Sequence, residues 1–248
     1  MSDDPPELAA SRQQVAEACR VLAARGLADG ILGHISLRID PQRLLIRCRG
    51  PAERGLAFTD VADIHLVDLD GEAAGSGELQ GGWSVPQELP LHTEVLRSHP
   101  EVAAVVHAHP PSVVAADLAG LAIRPIVGAF DIPGTWLAHG GVPVYPRGVL
   151  INSRRLAAEM VQAMGSRPVV LLRGHGLTST GTSVPEAVLR AVSVDTIAQL
   201  SLRVVSAGGV LADLPDEDLA ELPDLGSGFN IETAWRHELA RLERNLSP

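Results

Sequence analysis

The chain has 248 residues, 46% of them apolar but only 3% aromatic, so alanine, valine and leucine must fill any core. A formal net charge of -10 argues against nucleic acid or an anionic membrane surface as partner, and no run of 18 apolar residues offers a transmembrane helix. The acidic start Met1-Ser2-Asp3-Asp4 lacks the basic and apolar regions of a signal peptide, and Cys19 and Cys48 are too few for a disulfide framework, so a cytoplasmic protein is expected.

Taken in order, residues 1–10 read as a disordered tail. Ser11 with Gln14 three residues on forms a capping box, and Val15, Ala18, Cys19, Leu22 and Ala23 recur at helical spacing up to Gly26. Strands are expected over residues 35–39, 44–46 as its hairpin partner, and 64–69, with a flexible stretch over 75–82. The β-branched run 102–106 reads as a buried strand, and Pro110-Pro111 opens a helix over 112–118. Further strands are expected over 123–127, 142–145 and 169–172, and helices over 156–164, 184–207 and 231–244. Strands and helices intermingle without a strict βαβ period, which points to a three-layer α-β-α domain. The main domain is expected over 11–212, with 213–248 as a helical extension of it.

His107 and His109 follow the 102–106 run. Residues two apart on a strand share a face, so both imidazoles aim at one point, as a metal preferring nitrogen ligands requires. A packed or hydrogen-bonded role is the ordinary fate of a histidine at a strand end. A third imidazole changes the balance: His175 lies between Gly174 and Gly176 directly after the 169–172 run, where the backbone is free to turn sharply. Three imidazoles with one open position describe a catalytic metal site rather than a structural one.

Glu88, His92 four residues later, the His107/His109 pair after a valine run and the His175-Gly176 pair together resemble the class II aldolase/adducin family. The segment Gly33-His34-Ile35-Ser36-Leu37-Arg38 is similar to another of that family's motifs, and the likeness runs over roughly residues 15–202. The resemblance implies a class II aldolase-like fold with a largely antiparallel central sheet. It makes His107, His109 and His175 the ligands of one divalent ion per subunit (Zn, Mn, Fe or Co) and Glu88 the acid/base. It also implies a homotetramer whose pocket lies between subunits.

Departures from the sugar-phosphate enzymes of this family are informative. The positions that cradle a phosphate there look like Ile31-Leu32-Gly33-His34, Arg49-Gly50 and Pro86-Gln87-Glu88 here, and the small hydroxyls are gone. His34, Arg49 and Arg47, with Arg54 nearby, stand in their place. A guanidinium matches a carboxylate bidentately, so the substrate is expected to be a diacid, with Arg49, Gly50 and Arg47 binding it and His34 joining Glu88 in catalysis. The arginines also admit a plainer reading as solvated loop charges, and His34 one as a structural histidine. His92 is expected to orient or pack, Glu94 to be a solvated helix residue, and His65, His99, His139 and His237 to be surface or packing residues.

Residues 48–59 and 128–134 are similar to the branch of the family that decarboxylates dihydroxyphthalate-type aromatic acids. The implied activity is a metal-dependent lyase that takes 3,4-dihydroxyphthalate or a close relative to protocatechuate in aromatic-acid catabolism. The alternatives are an aldolase for a phosphorylated or non-phosphorylated hydroxy-keto substrate, a non-catalytic scaffold, and an iron-dependent oxygenase using the same nitrogen ligands.

Overall fold

The computed structural model describes residues 5–225 and 228–246. Its first helix, α1 (Pro6–Ala24), begins with Pro6, whose fixed φ and missing N–H suit the opening turn of a helix. The expected start at Ser11 is therefore corrected, as is the part of the expected tail over residues 6–10; residues 1–4 of that tail lie outside the described residues. Ser11 lies within the helix and its Oγ donates back to the Glu7 carbonyl at 2.9 Å.

Among the described residues seven strands follow: β1 (His34–Arg38), β2 (Arg43–Arg47), β3 (Ile64–Asp68), β4 (Ala104–Ala108), β5 (Val144–Tyr145), β6 (Val169–Leu172) and β7 (Gly176–Gly181). They form one sheet in the order β3-β2-β1-β4-β7-β6-β5, antiparallel throughout except for the β5–β6 pair. The helices are α2 (Leu89–Ser98), α3 (Pro111–Leu118), α4 (Ile132–Ala138), α5 (Arg154–Met164), α6 (Val184–Ser206), α7 (Asp216–Glu221) and α8 (Gly228–Leu246).

Alternation along the strands sorts the core into two layers. Ile35, Leu45, Val106, Leu171 and Leu177 meet Leu22 of α1, Val113 of α3, the alanines and valines of α6, and Trp235 of α8. On the other face Leu44, Ile46, Val105, Val170 and Leu172 meet Leu91 and Val95 of α2 and Met160 of α5. The three-layer expectation holds. Helix α8 is further tied to α1 through an Arg25–Glu238 ion pair.

Several expected elements differ. Residues 123–127 form no strand; Pro125 removes a donor there, and Ile123 keeps one backbone bond, accepting from Val142 N at 3.1 Å. The strand expected over 142–145 shortens to β5, since Pro143 cannot donate. Within residues 75–82, expected to be flexible, Glu78 pairs with Arg12 and lies 2.9 Å from His65 Nδ1, which tethers the stretch at that point. Strand β7 and helices α4 and α7 have no counterpart in the expected elements.

Candidate metal centre

β4 runs two residues further than its apolar run predicts and carries His107 inside the sheet, opposite His34 of β1 and Thr178 of β7. Because Val105 faces α2 and α5, His107 projects to the same side. Its Nδ1 donates to the Leu177 carbonyl at 3.1 Å. That bond leaves Nε2 as the nitrogen turned toward the cluster, the usual way a protein orients a metal-binding imidazole.

His109 follows the end of β4, its backbone N–H fixed on the Leu27 carbonyl at 2.9 Å. His175 sits in the tight turn between β6 and β7. Gly174 there has a φ of +61°, and a Cβ on Gly176 would stand 2.2 Å from the Ala108 carbonyl oxygen, so neither position accepts a side chain easily. Asp117 of α3 braces this turn by accepting from Gly174 N at 2.7 Å and pairing with Arg173 at 3.0 Å.

The three imidazoles converge. Ring centroids lie 4.6 Å apart for His107–His109, 5.0 Å for His107–His175 and 4.7 Å for His109–His175. One ligand atom from each, together with one from Glu88, falls within a 4.8 Å span. Glu88 stands at the N-cap position of α2, with its side chain turned to other partners. Its Oε1 accepts the Ile151 N–H at 3.0 Å, and its Oε2 lies 3.2 Å from His107 Nε2 and 3.7 Å from His175 Nε2. His107 Nε2 is buried and makes no hydrogen bond, even to this oxygen. A buried polar nitrogen of this kind, among two other imidazoles and a carboxylate, is a donor set that fits a divalent ion such as Zn, Mn, Fe or Co.

Electrostatics agree with that use. Burial first, then the neighbouring rings of His107 and His175, lower the His109 pKa to about 3. Burial followed by His107 lowers that of His175. Neutral imidazoles are the form that binds metal. Burial alone would raise the Glu88 pKa, but His107, the Ile151 N–H and His175 outweigh it and hold the pKa down at about 2. Glu88 therefore stays ionised.

His34 joins the cluster, its ring centroid 5.0 Å from that of His107 and 4.9 Å from that of His92. Burial, then the fields of His92 and His107, keep its pKa well below the ordinary imidazole value. Its Nδ1 lies 2.7 Å from His92 Nε2, and His92 Nδ1 lies 2.8 Å from Ser36 Oγ. His92 accordingly orients a neighbour and is not in the metal-ligating group, as its place on α2 suggested.

The arginine expectations divide. Arg47 is 1% exposed, ion-paired with Glu53, and donates to Thr59 Oγ1 at 3.1 Å and the Gly33 carbonyl at 3.2 Å. Those contacts tie Arg47 to the loop before His34. Arg49 also reaches Glu53, at 2.5 Å, but its side chain remains 29% exposed and its charge is felt by both His34 and His109. Gly50 has a packing reason: a Cβ there would lie 2.3 Å from the Trp83 ring. Arg54 is exposed, with its guanidinium 5.9 Å from the centre of the Phe58 ring. Glu94 is not simply solvated but pairs with Arg154 at 3.1 Å. Ser36, Asp117 and the Ile151 N–H are the contributors that residue patterns miss. Ser36 lies in a recognised segment, whereas a backbone N–H leaves no trace in sequence.

Residues 13–202 match the family described as Class II Aldolase and Adducin N-terminal domain. A 3,4-dihydroxyphthalate decarboxylase from Arthrobacter keyseri is 74% identical over 94% of each chain. A second, from Rhodococcus jostii, is 58% identical over 95% of this chain and 97% of that one. The crystal structure of an aldolase II superfamily protein from Pseudomonas syringae superposes with a TM-score of 0.82 at 22% identity, covering 98% of this chain and 96% of the other. The chain belongs to the class II aldolase and adducin family.

Proposed function

We propose that this chain is a divalent-metal-dependent carbon-carbon lyase that decarboxylates 3,4-dihydroxyphthalate to protocatechuate in aromatic-acid catabolism. The observation that carries the reading is the 74% identity, over 94% of both chains, to a protein of that activity. The site's chemistry supports it: a nitrogen-rich cluster stands beside an ionised carboxylate and an arginine, where the sugar-phosphate enzymes place hydroxyls.

The carboxylate that leaves is ortho to a ring hydroxyl; the one retained is meta to it. A divalent ion held by His107, His109 and His175 would supply a Lewis acid that stabilises negative charge on the oxygen of that hydroxyl. Glu88 does the proton work. With Oε1 occupied by the Ile151 N–H, Oε2, which faces the imidazole cluster, is the oxygen left to carry the proton. It takes the hydroxyl proton and returns it to the ring carbon bearing the departing carboxylate, so that CO2 leaves as the C–C electrons return to the ring. His34, held neutral, serves as a hydrogen-bond donor to an anionic oxygen rather than as the proton source. Arg49 binds the retained carboxylate and sets the ring's orientation.

The same reading includes a homotetramer in which a neighbouring subunit completes the pocket, supported by exposed apolar side chains such as Phe130, Val127 and Leu118. A cytoplasmic setting is supported by two cysteines that are buried and free.

Incubating the metal-loaded protein with 3,4-dihydroxyphthalate while following CO2 and oxygen tests the reaction. CO2 release without oxygen uptake is the expected result. Release of an aldehyde from a hydroxy-keto acid, with no CO2 from the diacid, would establish the aldolase alternative instead.

A further inference from the structure

β1 sets His34 and Ser36 two residues apart on one face, and α2 lays His92 against both. His92 and Ser36 are fully buried. The contacts are close, 2.7 Å from His92 Nε2 to His34 Nδ1 and 2.8 Å from His92 Nδ1 to Ser36 Oγ. Two proton arrangements satisfy them while both rings are neutral. In the first, the Ser36 hydroxyl donates to His92 Nδ1, His92 Nε2–H donates to His34 Nδ1, and the remaining proton of His34 lies on Nε2. In the second, each bond reverses: His34 Nδ1–H donates to His92 Nε2, and His92 Nδ1–H donates to Ser36 Oγ.

The serine decides between them. In the reversed arrangement its hydroxyl hydrogen needs a further acceptor, and among the described residues Ser36 Oγ has no partner other than His92. A buried donor left unmet costs more than a hydrogen bond contributes. The first arrangement leaves no proton stranded.

We propose that Ser36 and His92 are positioning residues that hold His34 as its Nε2–H tautomer, so that it presents a hydrogen-bond donor to an anionic oxygen of the substrate. The inference rests on His34 facing the substrate as described under the proposed function. The other tautomer would turn a lone pair toward that oxygen and repel it. Here a hydroxyl two residues away, and not the reacting centre, sets which face of the imidazole the substrate meets.

The test uses zinc-loaded protein with nitrogen-15-labelled histidine, the His34 signals being assigned by their loss in His34→Gln. Two-bond nitrogen–proton correlations distinguish the tautomers directly. The expected result is Nε2–H at His34 in the unaltered protein. Ser36→Ala should admit the Nδ1–H form and lower kcat/KM for 3,4-dihydroxyphthalate by about 10- to 100-fold, mainly through KM and with zinc content unchanged. Ser36→Thr, which returns a hydroxyl, should restore both tautomer and KM. His92→Gln keeps an amide N–H for His34 Nδ1 and should retain the Nε2–H tautomer. An Nδ1–H tautomer in the unaltered protein, or Ser36→Ala with tautomer and KM both unchanged, overturns the proposal. If the tautomers respond as described but the unaltered protein releases no CO2, the positioning stands and the assigned substrate falls.

Discussion

The two faces of the central sheet are built from the same strands and solve opposite problems. β4 sends Ala104, Val106 and Ala108 to the side covered by α1, α3 and α6, where aliphatic groups fill space. It sends Val105 and His107 to the side covered by α2 and α5, where the packing includes Glu88, His34, His92 and Ser36, all buried. On the first face a residue is defined by its volume, and neighbours can shift to absorb a small change. On the second each polar atom must find a partner, because a buried one without a hydrogen bond is expensive. The difference teaches why the site is held so tightly. Leu177 O and Ile151 N each fix one side-chain atom, of His107 and Glu88, and leave the opposite atom free for chemistry, whereas Ser36 Oγ fixes His92 Nδ1 and His92 Nε2 in turn holds His34.

Substitutions on the two faces should therefore fail in different ways. The largest effect is expected at His107. His107→Ala, or chelation of the unaltered protein, should remove the metal and with it several kcal/mol of charge stabilisation, about a 10³-fold loss of turnover or more. Metal analysis alongside CO2 release checks this, and an unchanged rate after complete metal removal would refute the metal dependence. Glu88→Gln comes next, with turnover lower by on the order of 10² to 10⁴ while metal content is retained. Full activity in that variant would remove Glu88 from the proton path. On the aliphatic face, Leu22→Ala deletes a fully buried side chain of α1 and should cost about 2–5 kcal/mol of stability. Urea titration measures that cost. The KM of the surviving folded fraction should not move, and a shift in KM would show that the two faces are coupled.

How much of this was legible in the sequence follows from the range of each interaction. The His107/His109 pair could be read because the strand period of two is local, and His175 because its glycine neighbours announce a turn. The ends of β4 were misplaced by two residues: Val102 and Ala103 continue the apolar run, yet the ladder extends through His107 and Ala108 instead. β7 was missed because Gly-Leu-Thr-Ser-Thr-Gly looks like a polar loop. Its hydroxyls are buried only because each has an acceptor, as Ser179 Oγ has in the Ala187 carbonyl at 2.8 Å and Thr180 Oγ1 in the Pro168 carbonyl at 3.0 Å. The Ile151–Glu88 bond spans 63 residues and uses only a backbone N–H, so no residue type marks it. The family's motifs single out Glu88 all the same, and it lies in one group with His107, His109 and His175.

Arg47 and Arg49 set the two kinds of role side by side within one loop, and supply the smallest contrast to measure. Both reach Glu53, but Arg47 does so from full burial, with Thr59 and the Gly33 carbonyl as further acceptors. Arg47→Met leaves those acceptors unmet. Glu53 keeps Arg49, so the loss belongs at the low end for a broken buried pair, about 3 kcal/mol. In a chain of this size that corresponds to a drop in Tm of roughly 6–12 °C. Arg49→Met breaks a pair that is partly open to water and should cost at most about 1 kcal/mol of stability. Its effect should fall on the substrate, with KM for the diacid raised about 10-fold or more, as for a lost hydrogen bond between charged groups. Thermal melts and KM measured on the two variants separate the roles. If Arg47→Met raised KM at an unchanged Tm while Arg49→Met did the reverse, the assignment of which arginine meets the substrate would have to be exchanged.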